Sequence, residues 1–146
     1  MNIKIIFCIL FIILPLNIHS QEKGTNMLES GLVNPINYII NGVEQINYIQ
    51  FMKIMEREHD FYQIEIHYKH NDKSEYWNFK IVNIKNDGRK INGQLTEINC
   101  EDTSGMWYID NESNGKIKID LENKITTVEI IYHIHYKYKI TWENYN

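Results

Sequence analysis

Val128-Glu129-Ile130-Ile131-Tyr132-His133-Ile134-His135-Tyr136-Lys137-Tyr138-Lys139-Ile140-Thr141-Trp142 is the stretch whose reading decides the fold. Val128, Ile130, Tyr132, Ile134, Tyr136, Tyr138, Ile140 and Trp142 recur every second residue, and Ile131 is the one apolar residue out of phase. Successive side chains of a strand point to opposite faces, so this spacing predicts extended chain with one face buried. From Thr126 to Trp142 a single strand would reach about 55 Å at ~3.3 Å per residue. That is too long for one flat strand in a small domain, so the segment has to bend, coil or pair with different strands along its two halves.

The same period extends upstream. Tyr62, Ile64, Ile66 and Tyr68 alternate with Gln63, Glu65, His67 and Lys69, and Asn71-Asp72-Lys73-Ser74 turns the chain. In the next strand Trp77, Phe79 and Ile81 share a face, whereas Val82 and Ile84 take the other. Ile91, Gly93 and Leu95 are followed by the same kind of slip at Ile98 and Cys100. Each phase change predicts a bulge or a strand buried on both faces. Ile117, Ile119 and Leu121 alternate with Lys116, Lys118 and Asp120. Alanine is absent, and β-branched and aromatic residues dominate the chain beyond residue 20, a composition that favours strands.

One region reads differently. Ile36–Ile40 runs into Asn41-Gly42, a two-residue hairpin turn, with a return strand at Val43–Ile46. Beyond it Ile49, Met52 and Met55 fall at helical spacing, with Asn47 as N-cap and Gln50 three positions on, which predicts a helix ending near Arg57–Asp60. An alternative start places Asn41 at the N-cap. Tyr38-Ile39-Ile40-Asn41-Gly42-Val43 with Tyr62-Gln63-Ile64-Glu65-Ile66 resembles the plug-type βαβ segment of outer-membrane receptors over this hairpin–helix–strand portion only, and no function is carried over. The expected fold is therefore α+β: an N-terminal hairpin and one helix on a curved antiparallel sheet of about five or six strands.

Residues 1–20 have the layout of a cleavable secretion signal. Lys4 precedes an apolar run from Ile5 to Leu16, and Ile18-His19-Ser20 offers a small residue before Gln21. The run is shorter than the ~20 residues a helical span requires, so no stable membrane span is expected after its removal. Residues 21–34 read as a disordered leader or linker and 35–146 as a single domain. Beyond Ser20 there are 14 Lys+Arg against 19 Asp+Glu, a net charge of −5, which disfavours nucleic acid as a partner. Cys100 is then the one remaining cysteine, so no internal disulfide framework is available.

The metal-ligand spacing of His133-x-His135, with His67 and Glu65 on the polar face of another strand, would suit zinc if the two strands paired. Lys137 and Lys139 continue the polar face of the histidines, which is also what a solvated face looks like. Ser30, Ser74, Ser104 and Ser113 lie in turn-like contexts and none forms a nucleophile elbow. His59 reads as a helix-end residue. The aromatic content exceeds what a minimal core requires, and Trp77, Trp107, Tyr136 and Trp142 are the candidate binding residues. Secreted or periplasmic and non-enzymatic, a binding module with no cofactor and a protein or small-molecule partner, is the expectation. A zinc-binding protein and a small hydrolase are the alternatives.

Overall fold

A computed structural model describes residues 28, 30–58, 60–70, 72–102, 107–109 and 113–144. The expected signal at 1–20, most of the leader and His59 lie outside these residues. The elements are β1 (Gly31–Ile40), β2 (Val43–Glu44), a 3-10 turn (Ile46–Tyr48), β3 (Ile49–Glu58), β4 (Phe61–Tyr68), β5 (Ser74–Asn86), β6 (Lys90–Asp102), β7 (Trp107–Ile109), β8 (Asn114–Asp120), β9 (Ile125–Tyr132) and β10 (Tyr136–Glu143). Each strand pairs antiparallel with its neighbour in the order β10-β9-β8-β6-β5-β4-β3-β1, and β1 pairs β10. The sheet thereby closes into an eight-stranded barrel, with β2 and β7 as short appendages on β1 and β6.

The α+β expectation is corrected here: among the described residues no α-helix forms, and the sheet is a barrel rather than an open layer. The segment read as a helix is β3. Ile49 pairs with Tyr68 and Phe51 with His67, so Gln50 is an extra residue on β3. That bulge puts Ile49, Met52 and Ile54 on the buried face, a spacing of three then two. A bulge thus imitates one turn of helical periodicity, and pairing on both sides, with β4 and with β1, overrides local preference. The βαβ likeness fails with the helix. The chain is also extended from Gly31, four residues inside the stretch read as leader.

The long C-terminal pattern becomes two strands. Tyr132 pairs directly with Tyr136 across the turn at His133–His135, and the register continues to Thr126 opposite Trp142. An odd three-residue turn preserves phase, so Val128, Ile130, Ile140 and Trp142 all enter the interior. Both slips read upstream are bulges, one at Asn83 (φ 53°) and one at Glu97 (φ 53°). Asn41 (φ 48°) and Gly42 (φ 84°) form the predicted hairpin turn.

An interior enclosed by eight strands is just wide enough for side chains, and here side chains fill it. Trp77, Phe79, Trp142, Tyr62, Tyr38, Met52, Ile54, Ile64 and Ile66 are fully buried. Small residues make room where strands crowd: a Cβ on Gly93 would lie 2.6 Å from Ile81 Cγ2, and one on Gly115 would lie 2.7 Å from the Glu129 carbonyl oxygen. The outer face is polar, with an amide ladder running Arg57–Gln63–Asn78–Asn99 across β3 to β6 and Lys116 paired to Glu129 at 2.7 Å. Apolar residues inside and charges outside is the reverse of a lipid-facing barrel.

Candidate functional site

The barrel has two ends. At one, here the mouth, lie the Asn41-Gly42 turn, the 3-10 turn, the β4–β5 connection and the His133–His135 turn. The base carries the connections after β5 and β8. Just inside the mouth stands Glu75, on the same face of β5 as Trp77 and opposite Ile66 of β4. It interrupts the apolar register with a carboxylate.

Glu75 is the centre of a hydrogen-bond network drawn from several strands. Tyr38 of β1 donates its hydroxyl to Oε1 at 2.9 Å, and the Trp77 indole Nε1 donates to the same oxygen at 2.6 Å. Tyr68 of β4 donates to Oε2 at 2.5 Å. Cys100 of β6 places its sulfur 3.9 Å from Oε1. A carboxylate has about four lone-pair positions, so these partners occupy both sides of Oε1 and one side of Oε2. None of them carries a positive charge.

Further rings pack around the donors. Tyr138 packs on Trp77 with centroids 4.5 Å apart, Tyr132 meets Trp77 edge-on at 5.3 Å, and Tyr38 stacks with Tyr138 at 6.4 Å. Burial raises the Tyr38, Tyr68 and Tyr138 phenols well above their ordinary value, and the nearby Glu75 charge adds to the effect. Forming a phenolate beside a carboxylate in a poorly hydrated site is doubly unfavourable. The hydroxyls therefore remain donors at any ordinary pH.

The rim is mixed. Ile134 is 61% exposed and Tyr136 48%, Val43 and Tyr48 are exposed near the Asn41-Gly42 and 3-10 turns, and Lys69, Asp72, Lys73, His133, His135 and Lys137 are exposed on or beside the same mouth turns. His133 (φ 48°) and Ile134 (φ 63°) both have left-handed backbone, and His135 N–H donates to the His133 carbonyl at 2.6 Å. A β-branched residue in that region is a strained exception of about 1–2 kcal/mol, and such strain concentrates where a surface is used. Compared with protein-family models, curated proteins and solved structures, the chain matches none.

Of the residues read from sequence as binding candidates, Trp77 forms the floor of this site and Tyr136 its rim. Trp142 is 1% exposed and belongs to the core. Trp107 lies on β7, and its side chain is outside the described residues. The zinc candidates do not share paired strands, because β4 pairs only β3 and β5. Glu65 and His67 sit on the outer face of β4, whereas His133 and His135 sit in the β9–β10 turn. Among the described residues no three His, Cys, Asp or Glu side chains come together as a metal set.

His67 has another partner. Its Nδ1 lies 2.8 Å from Ser74 Oγ, and its ring stacks on Phe51 at 4.6 Å. This Ser–His pair is the contact a hydrolase would need, yet Glu65 accepts from Ser74 at 3.4 Å rather than orienting the imidazole. The relay that activates a serine requires the acid on the base. A surface groove of about 440 Å³ lined by Arg57, Glu58, Phe61, Lys80 and Glu97 sits near the base. There Lys80 and Glu97 pair with each other at 3.9 Å.

Sequence reasoning missed Glu75, Tyr38, Tyr68 and Tyr138 as a group. One signal was available: Glu75 stands two residues before Trp77, in register with the core face of its strand.

Proposed function

We propose that this protein is an exported, non-enzymatic binding module of the cell envelope or exterior that takes a small molecule at the barrel mouth. One observation carries the reading: a half-buried carboxylate held by Tyr38, Tyr68 and Trp77 at an end of the barrel where Val43, Tyr48, Ile134 and Tyr136 are exposed. Binding sites combine apolar walls with a few oriented polar groups, and this arrangement has both. Rigid aromatic donors fix the Glu75 acceptor in place, so a ligand meets a preformed group and little ordering is needed on binding. Export is supported by the signal-like pattern at 1–20. No helix among the described residues is long and apolar enough to cross a membrane.

The test is an NMR titration of the purified protein with small-molecule mixtures. Specific shifts should gather on Trp77, Tyr68, Tyr138 and the His133–Tyr136 turn. Shifts confined to the outer faces, or saturable binding untouched by Trp77 and Glu75 substitutions, would count against the mouth. Cell fractionation checks export, and retention of the uncleaved chain in the cytoplasm would reject that part.

A further inference from the structure

Resting on the mouth as the binding site, we infer that its ligand is a primary ammonium group carrying an apolar chain. The carboxylate of Glu75 is half-buried, and among the described residues every partner it has is a neutral hydroxyl, indole or thiol. A buried charge is ordinarily paired. Here the fixed donors come from the protein, while the compensating cation does not.

The open acceptor position is on Oε2, which among the described residues receives Tyr68 alone. A group with N–H donors can occupy it without displacing the existing bonds. Tyr138, packed on Trp77 with centroids 4.5 Å apart, is only partly buried and offers an accessible π face near the site, whereas Trp77 and Tyr132 are buried. Cations are attracted to such faces, most strongly when both partners are shielded from water. An anion would meet the Glu75 charge, and a neutral donor would leave it uncompensated.

The rim supplies the second half of the specificity. Val43, Tyr48, Ile134 and Tyr136 expose apolar surface at the mouth end of the barrel, against which a chain attached to the ammonium would pack. Removing that surface from water favours binding. A bare ammonium or a fully hydrated polyamine would use one half of the site only.

The decisive experiment follows Trp fluorescence of the purified protein during titration with hexylammonium, hexanol and hexanoate. Hexylammonium should bind at least about tenfold more tightly than hexanol, as a charge-assisted hydrogen bond predicts, and hexanoate should bind weakest. In Glu75→Gln the ammonium and the alcohol should become equal. Equal affinity for ammonium and alcohol in the unaltered protein would overturn the ammonium inference while leaving the mouth as a binding site. No response to any of the three, with none in the NMR titration, would overturn both. Because the comparison is made on the unaltered protein, it stands even if the variant does not fold.

Discussion

The two ends of the barrel handle their polar groups in opposite ways. At the base, Asp87 accepts from the backbone N–H groups of Arg89 and Lys90 at 2.9 and 2.7 Å, and Asp120 accepts from Glu122 and Asn123 at 3.1 and 2.9 Å. Those bonds hold both carboxyls below their ordinary range, and Arg89 pairs with Glu122 across the two turns at 3.3 Å. Each acid there stabilises its own turn. At the mouth Glu75 is half-buried and bonded to rings of β1, β4 and its own strand, the His133–Ile134 turn has left-handed backbone, and apolar side chains are exposed among polar ones. One end is consumed by local structure. The other keeps an oriented acceptor and exposed apolar area that the fold itself does not use.

This contrast predicts where substitutions act. The largest effect belongs to the shared interior: Trp142→Ala should cost about 3–5 kcal/mol in denaturant unfolding, whereas Tyr136→Ser at the rim should remain within about 0.5 kcal/mol. Comparable losses at both positions would show that the rim is core. Next comes Glu75→Leu, which strands the Tyr38 hydroxyl and the Trp77 N–H without an acceptor, at about 1–3 kcal/mol for each. A neutral result would mean that the network contributes nothing to stability.

The two ends should also respond to opposite ends of the pH scale. Tyr38, Tyr68 and Tyr138 have folded values raised above the ordinary 10.0, so above that pH the unfolded chain releases protons that the native state keeps. Their stabilisation is intact below about pH 10 and falls as pH climbs, by up to about 1.4 kcal/mol per pH unit for the buried Tyr38 and by less for the partly exposed Tyr68 and Tyr138, which solvent screens. Urea midpoints measured above about pH 10 should show this limb, shallower in Tyr38→Phe.

A smaller effect has the reverse sign. Ile134→Gly should raise stability by roughly 0.5–1 kcal/mol, since relief of the left-handed strain outweighs the greater freedom of unfolded glycine. The same variant should weaken binding of apolar chains at the mouth. The smallest belongs to the base. Asp87 and Asp120 have lowered folded values, so their contribution is present above the ordinary carboxylate value and is lost as pH falls through the folded one. Asp120→Asn should flatten the acid limb slightly and leave the alkaline one unchanged, as thermal melts below pH 5 (about one unit above the ordinary Asp value) would show.

Much of the barrel wall was legible in the residues, and little of the site. Alternation marked the inward face of β4, β8, β9 and β10, and phase slips at Val82 and Ile98 marked two of the bulges. The slip at Gln50 was misread, because a bulge after Ile49 yields the three-residue spacing of a helix turn. Trp77 and Tyr136 were visible as candidates by residue type alone. Glu75 was not, since one acid beside a turn resembles many others until the strands around it are known.

What the amino-acid order determined by itself is the side of each strand that leaves water, because burial depends on the side chains that a period of two lines up. Only the tertiary structure decided that β1 meets β10 and closes the sheet. Their pairing uses backbone groups that nearly every residue carries, from Asn34 opposite Glu143 to Ile40 opposite Tyr138, with Pro35 the one residue lacking the N–H. That closure brings Tyr38 to Tyr138 and to Glu75, residues far apart along the chain. Their chemistry as a group therefore exists only in the folded barrel.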